Sequence, residues 1–148
     1  MPCCRRRDLL VLHGVMLLAL AGLCAAAGCS RRLPTAAVQG KVLYQGQPLR
    51  FGSVLFQSAA GPPATGIIQP DGTFQLSTYG KNDGAVIGKH QVQITCYESQ
   101  DPQARPAASE GESGRGRSLI PEKYSSYTTS GIQVEVTARN EPFEWDLK

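Results

Sequence analysis

From residue 38 onward, apolar side chains recur at every second position rather than at helical spacing, the mark of half-buried strands. Val38, Gly40, Val42 and Tyr44 fall on one face, and Gln39, Lys41 and Leu43 on the other. Val54 with Phe56 makes the next alternating pair, and Phe74 with Leu76 another. Val92, Ile94 and Cys96 alternate with Gln91, Gln93 and Thr95, and Ile132, Val134 and Val136 alternate with Gln133, Glu135 and Thr137. Phe143, Trp145 and Leu147 alternate with Glu144, Asp146 and Lys148. Residues 64–69 read as the hairpin partner of residues 74–76 across Pro70-Asp71-Gly72, where Pro presets φ and Gly accepts a positive φ. The pattern predicts about seven strands, each with one apolar face. Two sheets must then cover each other, so the expectation over 38–148 is an all-β, antiparallel, two-sheet sandwich. No stretch beyond the leader sustains a 3.6-residue period, which excludes a helical bundle.

Two segments stand outside the alternation. Residues 30–37 are largely polar, and with Cys29 they read as a tether over 29–37. Residues 99–118 contain no aliphatic side chain larger than Ala and no aromatic, a composition that buries too little to offset ordering. They read as a mobile insert. The chain re-enters the body at Leu119-Ile120, and Pro121-Glu122-Lys123-Tyr124 predicts one helical turn opened by Pro. Tyr124 and Tyr127 are expected to cap an open end of the sandwich.

The first 28 residues read as an address. Arg5, Arg6 and Arg7 precede an apolar run from Leu9 to Leu23, followed by small residues. These are the three parts of a secretory signal peptide. Ala26-Ala27-Gly28-Cys29 resembles the lipobox of bacterial lipoproteins, with Ala26 where that family usually has Leu. The resemblance implies a diacylglyceryl group on the Cys29 thiol, cleavage just before Cys29, and acylation of its new amino group. Two or three chains on one residue hold far more firmly than a single chain, because each buried methylene contributes about 0.8 kcal/mol. Two other readings stay open: an ordinary signal peptide cut near Ala27, and an uncleaved anchor of about 20 apolar residues. Against the anchor, Arg31 and Arg32 would flank its outer side and His13 interrupts its centre. Arg6-Arg7 has the form of a twin-arginine signal, but no cofactor is implied that would need folded export, so the general secretory route is expected.

Charge and cysteine content narrow the class. The 148 residues carry a net charge of +3, and removing the leader with Arg5, Arg6, Arg7 and Asp8 leaves 12 cations against 11 acids. That balance, without a basic run, argues against nucleic acid as partner. Sixteen Gly and ten Pro agree with a turn-rich β protein. Cys3, Cys4 and Cys24 leave with the leader and Cys29 takes lipid, so Cys96 has no partner for an internal disulfide. In phase with Val92 and Ile94, it reads as a small buried hydrophobe.

A second resemblance covers roughly residues 38–147. Val38-Gln39-Gly40-Lys41-Val42, Gly46-Gln47-Pro48-Leu49 and Gly52-Ser53-Val54 are similar to the opening of the carboxypeptidase-regulatory-like domain. Asp71-Gly72-Thr73-Phe74 matches its central turn, and Gly84-Ala85-Val86-Ile87-Gly88 the approach to its next strand. The stretch from Ile120 through the last strands is similar to small bacterial lipoproteins that carry this module alone. The resemblance implies a transthyretin-like (Ig-like) sandwich acting as a non-catalytic binding or accessory module of the cell envelope. These motifs are turn glycines and strand hydrophobics, so they speak to fold rather than to chemistry. The insert at 99–118 departs from the compact module.

Candidate chemistry is sparse. His90 is the one histidine beyond the leader and reads as a surface or edge residue. Asp71 and Asp83 each precede Gly and read as turn formers, lacking the alternating oxygen donors of a calcium loop. There is no Gly-x-Ser-x-Gly elbow, and Glu110 and Glu112 fall in the insert. The expectation is therefore not an enzyme: no catalytic, metal-binding or cofactor-binding residue is assigned, and Cys29 is the one modification site. The implied partners are the membrane, through the lipid, and an envelope protein or glycan. A structural envelope spacer and an undetected hydrolase remain as alternatives. An exposed aromatic patch drawn from Tyr79, Tyr97, Tyr124 or Tyr127 would favour a binder, and burial of those tyrosines a spacer. Ser30 after the cysteine tilts the expected location toward the outer membrane, on the non-cytoplasmic side.

Overall fold

The structure, a computed structural model, describes residues 32–103 and 116–148. Ten strand segments follow in order: β1 (Thr35–Ala36), β2 (Gln39–Tyr44), β3 (Gln47–Pro48), β4 (Ser53–Ser58), β5 (Ala64–Ile67), β6 (Thr73–Gln75), β7 (Ala85–Val86), β8 (Gly88–Thr95), β9 (Gln133–Val136) and β10 (Phe143–Leu147). Short 3-10 turns at Glu98–Gln100 and Glu122–Ser125 are the only helical elements among the described residues, the second preceded by Pro121. The protein is all-β. Where the alternation predicts about seven strands, β1, β3 and β7 are two residues long, too short to display a period.

One four-stranded sheet has β2 at its centre, with β10 along one edge and β3 and β6 sharing the other. The second runs β5-β4-β8-β9, antiparallel throughout. The inner faces carry Val42, Val54, Phe56, Phe74, Val92, Ile94 and Leu147, all buried, while the intervening residues face outward. The layers meet through aromatics. Phe56 of β4 lies 6.0 Å from Phe143 and from Trp145, both on β10 of the other sheet.

The pairings correct several expectations. β10 runs parallel to β2, with Phe143 opposite Gly40 and Leu147 opposite Tyr44, so the sandwich is not purely antiparallel. Residues 64–69 do not pair along their length with residues 74–76. β5 makes its ladder with β4 and reaches the β6 side through the 69–73 turn and an isolated Thr65–Ser77 bridge. That turn has the expected chemistry: Gly72 sits at φ 84, and Asp71 Oδ1 accepts from the Thr73 amide at 3.0 Å. Within the span read as tether, Leu33 begins the compact unit and β1 pairs with β7. The insert is anchored at its root, where Tyr97 bridges Ser118 and the Glu98 amide donates to the Arg117 carbonyl at 3.0 Å. Residues 104–115, with Glu110 and Glu112, lie outside the described residues, as does the leader.

Candidate functional site

Cys29, the one assigned site, lies outside the described residues. The structure places the other candidates within the body. Cys96 follows β8 on the inward phase and is 1% exposed. Burial, aided by Asp101, pushes its thiol up to about 11, so it stays protonated and unreactive at neutral pH.

His90 corrects its sequence reading. It is 2% exposed, not a surface residue, because it shares the inward phase of Val92 and Ile94 on a strand flanked by β4 and β9. That phase was readable in the sequence, since His90 stands two residues before Val92. Its Nε2–H donates to the Val86 carbonyl at 2.6 Å, and its ring packs 5.7 Å from Phe56. A carbonyl only accepts, so Nε2 carries a proton, and Nδ1 is buried with no hydrogen-bond partner among the described residues. A hydrolase would need this imidazole bonded to a hydroxyl and oriented by a carboxylate; neither bond is present among the described residues. No group of three or more His, Cys, Asp or Glu side chains among the described residues is arranged to hold a metal ion.

Asp83 organises the loop before β7. Its Oδ1 accepts from the Thr78 amide at 2.7 Å, and its Oδ2 from the amides of Tyr79 and Gly80 at 2.9 Å each. Desolvation pushes the carboxyl up, but the three backbone donors outweigh it and leave the pKa below the ordinary 3.8. A depressed folded value means the stabilisation is complete above pH 3.8 and is lost as pH falls through the folded value. Asp83→Asn is therefore expected to lower stability at pH 7 by about 1 kcal/mol after solvent screening. The difference from the parent should shrink in urea titrations run at more acidic pH. A constant difference across that range would show that charge plays no part.

The tyrosines do not gather into one patch. Tyr124 is buried and packs into the core, Tyr79 and Tyr97 are half-buried, and Tyr127 is exposed. Two grooves lie instead on the outward faces. The larger, of about 1060 Å³, draws on both sheets where the β5–β6 connection joins them. Gln39 and Gln75 face each other in register there, with Lys41, Thr65, Ile67 and Glu144 around them. The smaller, of about 780 Å³, lies over β4, β8 and β9. Gln57, Gln91 and Gln133 stand side by side in it, next to the Lys89–Glu135 pair, with Tyr127 in the lining. Both mix amides and hydroxyls with apolar side chains and carry few charges, surfaces suited to a neutral partner with both polar and apolar groups. Sequence reasoning missed them, because their residues come from separate strands that only the pairing brings together. Compared with known proteins, the chain matches no family model, no curated protein and no solved structure.

Proposed function

We propose that this chain is an envelope lipoprotein, tethered on the non-cytoplasmic side by lipid on Cys29, whose carboxypeptidase-regulatory-like sandwich is a non-catalytic binding or accessory module. The observation that carries the reading is the position of Cys29. It ends a signal-like leader and lies four residues before Leu33, where the compact unit starts. A processing enzyme needs an accessible backbone at the cut, and a cut before Cys29 falls outside the unit that starts at Leu33. The hydrogen bond from His90 to the Val86 carbonyl favours a structural imidazole over a catalytic one. In the test, Cys29→Ser abolishes metabolic labelling by palmitate and leaves the leader uncleaved by the lipoprotein peptidase. Undiminished labelling of the variant overturns the reading.

A structural spacer is the second reading, favoured by the burial of Tyr124 and the scatter of the other tyrosines. The larger groove separates the two. For a binder, the intact protein captures a specific envelope component, and a Gln39→Arg, Gln75→Arg double variant loses it. Capture that is indifferent to these exposed substitutions points to the spacer.

A further inference from the structure

The strands run between two ends, and the chain enters the body at only one of them. At that end the Leu33 amide donates to Tyr79 Oη at 3.1 Å, and the Ile87 amide donates to the Pro34 carbonyl at 3.0 Å. Gly61 packs against Leu33 so closely that a Cβ there would lie 2.8 Å from Leu33 Cδ1. The 59–63 loop after β4, the start of β8 and the end of β9 therefore share this end with Leu33, Ser58 pairing with His90 and Gly88 with Val136. The opposite end carries the Gln45-Gly46 turn, the 70–72 turn and the Glu98–Gln100 helical turn. The eight residues of β8 separate the ends by about 23 Å, at roughly 3.3 Å per residue.

Four residues, however they are arranged, span at most about 14 Å from Cys29 to Leu33. Resting on the lipid-anchor reading, the geometry points to the end bearing Leu33, the 59–63 loop and Ile87 as a membrane-facing surface that seats against phospholipid headgroups. Its chemistry fits that occupant. Ala59, Ala60, Gly61, Pro62 and Pro63 carry no charge, and Ile87 is 40% exposed beside them. Lys81, Lys89 and Arg139 are exposed at the same end. Of the acids there, Glu135 stands opposite Lys89, Asp83 is held by backbone amides, and Glu141 remains. The far end carries Asp71, Glu98, Asp101 and Asp146 beside Arg50, Lys148 and Arg117, the last ion-paired with Glu98 at 3.3 Å. The body therefore stands on the membrane with its insert root and hairpin turns pointing away.

The test uses the full lipidated chain in phosphatidylethanolamine–phosphatidylglycerol vesicles containing a headgroup spin-labelled lipid. An environment-sensitive fluorophore is placed on Ala60→Cys or on Gln47→Cys; both positions are exposed, and buried Cys96 does not take the label. Ala60→Cys is expected to lose its fluorescence to the quencher while Gln47→Cys keeps it. A long Gly/Ser insertion between Arg31 and Arg32 should erase the difference. Intact mass is read on the same samples. Equal quenching at both positions, or stronger quenching at Gln47→Cys, in protein carrying the lipid mass overturns the orientation alone. Absence of the lipid mass removes the anchor, and the orientation with it.

Discussion

Phe56→Ala is expected to destabilise the body by about 3–5 kcal/mol, the usual cost of emptying a buried aromatic site. Phe56 is fully buried, and its ring contacts lead to both layers: His90 on its own sheet at 5.7 Å, Phe143 and Trp145 on the other at 6.0 Å. Truncation leaves a cavity at the point where the sheets touch, and the surrounding rings, fixed on β8 and β10, cannot collapse into it. Domains of this size hold only about 5–15 kcal/mol in total, so the loss is a large fraction of the whole. Urea unfolding followed by the fluorescence of Trp145, the one tryptophan, measures the loss directly. Phe56→Leu, which keeps most of the volume, should lose less than about 1.5 kcal/mol. Equal midpoints for Phe56→Ala and the parent would show that the interlayer contact carries no weight.

Gly40→Ala is expected to cost about 2 kcal/mol, although the same change is often mildly stabilising elsewhere. Gly40 is a central β2 residue paired with Phe74 on one side and Phe143 on the other. Without a side chain there, the Phe74 ring crosses β2 and stacks on Trp145 at 5.8 Å with an interplanar angle of 9°. Trp145 stacks in turn on Phe143 at 5.8 Å. A Cβ on residue 40 would collide with the Phe143 carbonyl oxygen and lie 2.7 Å from Phe74 Cζ. The oxygen belongs to a neighbouring strand and cannot rotate away, so strain at the upper end of about 1–3 kcal/mol applies. Reduced freedom in the unfolded chain returns only about 0.4–1 kcal/mol, which leaves a net loss. Gly80→Ala is the control: a Cβ there meets nothing nearer than 3.9 Å, and its midpoint should hardly move. Altered near-ultraviolet dichroism in Gly40→Ala but not in Gly80→Ala would place the damage in the ring stack.

The functional features differ in how far the sequence exposes them. The Cys29 motif is contiguous, so its chemistry is legible without any fold. The grooves are not, since Gln39, Thr65, Gln75 and Glu144 lie on four strands and meet only after pairing. His90 stands between these cases. Its inward phase was written in the alternation with Val92 and Ile94, yet a polar residue reads as surface until its hydrogen-bond partner is known. The partner is the Val86 carbonyl, four residues upstream at the end of β7.

By itself, the sequence determined which side of each longer strand is apolar, where turns such as Pro70-Asp71-Gly72 reverse the chain, and that the class is all-β. Those are consequences of a two-residue period and of local backbone preferences, which need no distant partner. Tertiary structure alone decided that β10 lies parallel to β2, that β5 pairs with β4 rather than along β6, and that residues 33–37 are drawn into the body. A pleated strand alternates identically whichever neighbour it pairs with and in whichever direction, so the choice rests on burying one shared aromatic core between strands about 100 residues apart.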